Sequence, residues 1–295
     1  YKGEKSSRRY YAPLDADYVK IREGDYLLAI NGQPVSVKEN YLKYLVNQHK
    51  NHLVLTTNRK PSWDGAITTR IKPISNDYSL RYKAWVDHNR EVVDKASGGK
   101  IGYIHLENMG GGDLENFKKW FQLYRYKEAI ILDVRYNGGG GIDPQLIDML
   151  ERRQYQIVKE RHSVPLERPL DGFYGKVVVL CNEYSFSDAE VFPSGFKVRK
   201  LGTLIGKQTL GFVIAVSPYR LIDGGTIRKT FIGLWEVNGT QLESRGAIPD
   251  ISVENTPEDE LAGRDPQLQK AIAYLLDEIA KHPRNFNYPI KIAPR

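Results

Sequence analysis

The sequence predicts an α/β domain preceded by a small β-rich unit. Three observations carry that reading. From residue 100 onward, strand-sized apolar runs alternate with helical patterns, the arrangement of strands joined by helices. Near the start, "EGDYLLAINGQPV" (23–35) sets an apolar run before Asn31-Gly32, a strong hairpin signal. Between the two, residues 76–98 read as a helical connector closed by Gly98-Gly99.

In the first unit the apolar run Tyr26 to Ile30 is a strand that turns at Asn31-Gly32. Tyr41, Leu42, Leu45 and Val46 have helical spacing, and strands follow at 52–57 and 66–74. In the second unit strands are predicted at 100–106, 128–135 and 175–181. Helices are predicted at 113–124, 142–152 and 187–197, the last interrupted by Pro193. Further strands span roughly 202–236. A final helix opens with Asp265 as cap and Pro266 at its first position. It stacks Leu268, Ile272, Leu275 and Ile279 on one face. The domain boundaries read from this pattern are 1–75, 76–283 with the connector at 76–98, and an extended arm at 284–295.

The chain has 295 residues, 41% hydrophobic and 27% charged, enough for one large or two modest domains with a core. Apolar runs such as "VVVLC" (177–181) are strand-sized, so no membrane span is expected. The chain opens on Tyr1 rather than Met and is read as part of a longer polypeptide. A net charge of +7 comes with acidic residues interspersed among basic clusters such as 6–9 and 197–200. That describes a solvated surface rather than a nucleic-acid footprint. The single cysteine, Cys181, ends an apolar run and reads as a buried hydrophobe. Six scattered histidines lack zinc-ligand spacing.

Two stretches have the residues of a reaction centre. "LDVRYNGGGG" (132–141) is a strand running into four glycines, whose bare backbone N–H groups suit an anion. It completes neither a P-loop nor a dinucleotide fingerprint. It reads as a flexible turn or, beside a nucleophile, as an oxyanion hole. "NEYSFSDAE" (182–190) contains Ser185 and Ser187. Ser187 precedes a helix whose first N–H groups, beginning with Asp188, are unpaired; it is either a helix cap or a nucleophile. Ser185 is the lesser candidate because Phe186 after it packs inward.

"DVRYNGGG" (133–140), "NEYSFSDAE" (182–190), "IGKQTLG" (205–211) and "ESRGAIPDI" (243–251) occur in this order and spacing. On these four motifs the chain resembles the tail-specific and tricorn serine peptidases. Residues 80–109 and 263–272 are similar to the tricorn branch in particular. "GDYLLAINGQPV" with the helix and strands after it resembles the later part of a PDZ domain whose early strands are shortened or missing. This unit either binds extended peptide or serves as a spacer. The resemblance implies a crotonase-like α/β core and peptide-bond hydrolysis with Ser187 as nucleophile. It implies oxyanion donors at Gly139 or Gly140 together with the Asp188 amide. It implies Glu243 as the carboxylate that orients a basic histidine through a second serine. It brings peptides or unfolded proteins as substrates, upstream domains of the same chain as partners, and room for a homo-oligomer. It brings no cofactor and no metal.

Two departures from the family pattern matter. The processing-protease branch uses a lysine base where this chain has Phe212, and Lys207 reads as a surface residue. The tricorn branch takes its histidine, preceded by a serine, from a segment upstream of the PDZ unit. Its counterpart is therefore expected before Tyr1. His105, on a strand, is the best internal candidate for the base, but it matches a non-catalytic family position. His49, His52, His88, His162 and His282 read as surface residues. The rival readings are a catalytically inactive PDZ-plus-peptidase module that binds peptide, and a basic nucleic-acid-binding protein.

Overall fold

The computed structural model describes residues 1–4 and 7–290. The basic cluster at 6–9 and the arm at 284–295 lie partly outside the described residues, and the His49 side chain lies wholly outside them. Packing divides the chain into two compact units between His88 and Asn89, inside the connector helix.

The first unit contains the strands β1 (Tyr26–Ile30), β2 (Gln33–Pro34), β3 (Leu53–Asn58) and β4 (Ile67–Ile71). They form an antiparallel sheet in the order β2-β1-β3-β4. Asn31 and Gly32 both take positive φ, 51° and 76°, the turn that matches strand twist in a two-residue hairpin. Residues 41–46 do not form the predicted α-helix. They make only a 3-10 turn at Tyr41–Tyr44, capped by Asn40 Oδ1, which accepts from Leu42 N at 3.0 Å. The left-handed Asn47 then stops propagation. Tyr44 and Leu45 still face a small core of Ile30, Leu53 and Ile71, so the apolar spacing served packing without an α-helix.

The connector is α1 (Tyr78–Ser97). After it come β5 (Ile101–His105), α2 (Gly111–Leu123), β6 (Ala129–Asp133), α3 (Asp143–Glu151) and a small ribbon of β7 (Gln156–Val158) with β8 (Leu166–Arg168). The chain continues through β9 (Lys176–Cys181), α4 (Asp188–Val198) and β10 (Thr203–Gly206). The exposed hairpin of β11 (Val216–Arg220) and β12 (Thr226–Thr230) follows. Last come β13 (Ile251–Ser252), α5 (Pro257–Leu261) and α6 (Pro266–Lys281).

Five strands form one parallel sheet in the order β13-β10-β9-β6-β5. Every residue of β5 and β6 is buried, as expected for a parallel sheet covered on both faces. Ile130, Leu132, Val177 and Val179 pack with Phe117, Leu146, Phe192 and Phe196 from α2, α3 and α4. The alternate residues face α6, whose Leu268, Ala271, Ile272, Leu275 and Ile279 are buried. Helix α4 runs on through Pro193 instead of stopping there. The buried rings of Phe192 and Phe196 hold it against the sheet on both sides of the proline. No helix among the described residues is long and apolar enough to cross a membrane.

A buried ion cluster fixes α6 to the carboxyl end of the sheet. Arg135 Nη2 lies 2.7 Å from Asp133 Oδ2, and its Nη1 lies 2.8 Å from Asp265 Oδ1. Tyr103 donates to Asp133 Oδ2 at 2.8 Å, and Gln267 Oε1 accepts from Arg135 Nη1 at 3.1 Å. Burial alone would raise the Asp265 carboxyl, but the Arg135 guanidinium outweighs it and holds that group below the usual range. Asp265 also caps α6, accepting from Leu268 N at 3.0 Å. Removing the cation would strand two carboxylates, at least one of them with no exposure to water. Arg135→Ala should therefore cost about 3–5 kcal/mol of stability in urea denaturation, against a small loss for the exposed pair broken by Arg199→Ala. Equal losses for the two variants would deny the cluster its role.

Candidate active site

The centre is assembled where three chain segments meet at the carboxyl ends of β6, β9 and β10. The first is the loop after β6. Asn137, fully buried, fixes it by donating from Nδ2 to Leu106 O at 2.8 Å and accepting from Phe186 N through its own carbonyl at 2.9 Å. Its Oδ1 accepts from Gly139 N at 2.8 Å. Gly139 O in turn accepts from Met109 N at 2.9 Å, and Gly141 N donates to Met109 O at 2.9 Å. The glycines are required by contact. A Cβ on Gly140 would fall 1.9 Å from Met109 O, and one on Gly139 would fall 2.6 Å from Ser187 Cβ and 3.2 Å from Asp188 N. The glycine loop thus lies directly on the turn that carries Ser187.

That turn is the second segment, and it distinguishes the two serines. Ser185 is fully buried. Its Oγ donates to Val134 O at 2.8 Å and accepts from Asn182 N at 3.1 Å, so its hydroxyl ties β9's exit to β6's exit. Ser187 is only half-buried and has φ 56° and ψ −118°. An ordinary cap residue is extended. This conformation is a sparsely populated one that persists only where the surroundings impose it, and it is the kind of strained strand-to-helix turn that presents a nucleophile. The Asp188 carboxylate, almost fully buried, accepts from Ile142 N at 2.8 Å and Asp143 N at 3.2 Å. It thereby fastens the start of α3 to the start of α4. The backbone N–H of Asp188 has no acceptor among the described residues, and neither has that of Gly140. Gly139 differs: its N–H donates to Asn137 Oδ1.

The third segment is residues 209–214, for which the sequence reading named a family motif but no site residue. It is held by Glu190, a fully buried carboxylate that sequence reasoning missed. Glu190 accepts from Ser187 N at 3.2 Å, Thr209 Oγ1 at 2.6 Å, Gly211 N at 2.5 Å and Phe212 N at 2.8 Å. Its signal was present as the S-x-x-E spacing of a capping box. Glu243 Oε2 accepts from the next two amides, Val213 N at 2.8 Å and Ile214 N at 3.0 Å. No hydrogen bond among the described residues links Glu243 directly to Ser187; the connection runs through this loop and Glu190. The close approach explains Gly246, where a Cβ would meet Thr209 Oγ1 at 2.3 Å and Glu190 Oε2 at 2.7 Å.

The remaining candidates lie apart from these contacts. Lys207 Nζ binds Glu183 at 3.1 Å and also Glu254. The buried His105 places Nε2 2.9 Å from Arg135 O, and burial pushes its pKa down. His52, His88, His162 and His282 are exposed. Cys181 is buried and burial pushes its thiol well up, which makes it unreactive. Among the described residues no group of three or more His, Cys, Asp or Glu side chains is arranged to hold a metal.

The profile of Peptidase family S41 matches residues 100–253, and that of the tricorn protease PDZ domain matches residues 1–76. The chain is 31% identical over 272 residues to the tricorn protease of Thermoplasma volcanium, covering 91% of this chain and 26% of that protein. It is 34% identical over 275 residues to tricorn protease homolog 1 of Streptomyces coelicolor, covering 92% and 26%. The crystal structure of the tricorn protease superposes with a TM-score of 0.84 at 30% identity, over 95% of this chain and 27% of that one. The chain therefore spans about a quarter of the length of these relatives.

Asp143 gives the site a pH signature. Burial first, and then the hydrogen bond and charge of Asp188, raise its carboxyl from the ordinary 3.8 to about 7. The folded state binds this proton more tightly than the unfolded chain does. The stability it contributes is complete below 3.8 and is lost as pH rises through about 7. Asp143→Asn, neutral at every pH, should match the wild type near pH ~4 and become the more stable of the two by pH ~8, read from urea midpoints. A constant offset across that range would show an ordinary aspartate at position 143.

Proposed function

The chain belongs to peptidase family S41, and from that premise we propose that it is the PDZ and peptidase portion of a tricorn-like serine protease. Its substrates are peptide bonds of oligopeptides or unfolded chains, cleaved through an acyl-enzyme. The single observation that carries this reading is the strained, half-buried Ser187 packed against the Gly139 backbone, with two acceptor-free N–H groups beside it. The core is read as crotonase-like, which the parallel sheet with helices on both faces supports. The peptidase domain is taken as 76–283, after a PDZ-like domain at 1–75.

In this mechanism Ser187 Oγ attacks the scissile carbonyl carbon while a base takes its proton. Negative charge develops on the carbonyl oxygen, and the N–H groups of Gly140 and Asp188 are the proposed donors to it. The Asp188 amide opens α4, so the helix dipole favours the same charge. The tetrahedral intermediate expels the amine, which takes up the proton, and leaves an ester on Ser187. Water, deprotonated by the same base, then attacks the ester and frees the acid. A Ser–Lys dyad is not supported, because Phe212 occupies the lysine position and Lys207 is bound to two carboxylates. Nor is His105 supported, because it is buried and bonded to Arg135 O. The base is proposed to be a histidine supplied from outside residues 1–295. Glu243, with Oε2 committed to two amides, is proposed to use its other oxygen to orient that histidine.

The test is hydrolysis of fluorogenic peptides, together with fluorophosphonate labelling, by the longer polypeptide that includes the histidine segment. Ser187→Ala should abolish both, since the attacking oxygen is gone. Ser185→Ala should keep labelling while losing about 1–3 kcal/mol of stability, because it leaves buried partners unpaired. Labelling that survives in Ser187→Ala, or that maps to Ser185, would overturn the assignment.

Glu243→Gln offers a separate check. A glutamine oxygen can still accept from Val213 N and Ile214 N, so the fold should survive. Loss of the orienting charge should lower kcat by less than the ~10⁴ seen when a directly bonded triad carboxylate is neutralised. KM should stay near its original value. An unchanged kcat would reduce Glu243 to a loop anchor.

A further inference from the structure

The segment that Glu190 and Glu243 hold belongs to no strand, and burial alternates along it. Thr209, Gly211 and Val213 are buried, whereas Leu210 and Phe212 are 57% and 52% exposed. Leu210 and Phe212 flank Gly211, whose φ is 82°, and both are open to solvent. The Phe212 ring stacks on Phe186, with centroids 5.2 Å apart and planes at 22°. Phe186 is the residue immediately before Ser187. The backbone makes the proximity to the nucleophile rigid. One oxygen, Glu190 Oε1, accepts from both Ser187 N at 3.2 Å and Phe212 N at 2.8 Å, so the two nitrogens cannot lie more than about 6 Å apart.

Exposed apolar rings held this close to a reacting hydroxyl have the make-up of a side-chain subsite, which is mostly apolar and largely preformed. We infer that Phe212, stacked on Phe186 and flanked by Leu210, forms the wall of a substrate subsite that takes a large apolar side chain next to the scissile bond. The inference rests on the reading of Ser187 as nucleophile, and it names Phe212 as a specificity-determining residue. A leucine-sized or aromatic substrate side chain gains by covering the rings. A lysine or glutamate side chain must shed water there and finds no partner in the wall.

The experiment measures binding, which needs no turnover. The full-length polypeptide with Ser187→Ala is titrated calorimetrically with four capped peptides that differ at one residue: Phe, Leu, Lys or Glu. The Phe and Leu peptides should bind at least about 10-fold more tightly than the other two, the scale of discrimination an apolar pocket offers. Adding Phe212→Ala should cut that preference by about 10-fold, while Phe212→Leu should retain most of it. The tie to Glu190 is made by the backbone N–H of Phe212, so both variants keep it, and thermal melts will report whether they fold. The subsite is overturned if the Phe peptide does not bind, if the apolar preference survives Phe212→Ala, or if all four peptides weaken equally. A protein that binds in the expected order but shows no labelling of Ser187 in its unmutated form would sink the peptidase reading and leave the subsite standing. Hydrolysis without side-chain preference would do the reverse.

Discussion

One buried carboxylate organises this centre. Glu190 sits in the first turn of α4 with no water contact, and its partners are N–H and O–H donors rather than a cation. A charge in such a place is tolerable only when hydrogen bonds replace its hydration. Four donors do so here, and the dipole at the helix N-terminus adds to them. The consequence is positional. Donors from residue 187 and from residues 209–212 converge on one group, so the Ser187 turn and the following loop cannot move independently. Gly246 belongs to the same constraint, because any side chain there would strike Thr209 and Glu190.

The backbone strain at Ser187 follows from this arrangement. A non-glycine residue at φ 56° and ψ −118° costs on the order of 1–3 kcal/mol, so the contacts around it must outweigh that. Three of them act from different directions: Glu190 on the Ser187 amide, Gly139 against the Ser187 Cβ, and the Asp188 carboxylate on the start of α3. Each is itself anchored in the sheet or its neighbours. Asn137 anchors the glycine loop to Leu106, and the Arg135 cluster anchors the end of β6 to α6. The strain is thus held by a chain of buried polar contacts, in which the apolar core supplies the frame.

What could be read from the sequence divides along the same line. The alternation of strands and helices, the Asn31-Gly32 hairpin and the Asp265-Pro266 helix start are local signals, and each has its counterpart in the structure. Residues 41–46 misled because apolar spacing alone does not separate an α-helix from a 3-10 turn that presents the same two side chains. Pro193 misled in the other direction, since propensity is local and the packing of Phe192 and Phe196 is not. The site was legible in its motifs but not in its wiring. Nothing in "LDVRYNGGGG" tells that the Gly139 amide is taken by Asn137, or that Arg135 meets an aspartate 130 residues further on. Glu190 stood at the capping-box distance from Ser187, yet that spacing describes any well-made helix start and does not announce a hub.

The wiring also bears on why two glutamates serve one short loop. Gly211, Phe212, Val213 and Ile214 present four consecutive amides, the first two to Glu190 and the next two to Glu243. A segment whose N–H groups are satisfied by side chains has no need of a neighbouring strand, so it can lie open along the site rather than join the sheet. The two carboxylates come from different elements, one from α4 and one from the stretch before β13, and both bind this loop. A residue that anchors this loop and also faces an incoming histidine would sense both the placement of Phe212 and the charge of the base. Under the proposed mechanism those two tasks would fall on different oxygens of Glu243, Oε2 being the one bonded to the loop. That division makes it chemically reasonable for a single side chain to hold the wall of the site and tune its reactive centre at once.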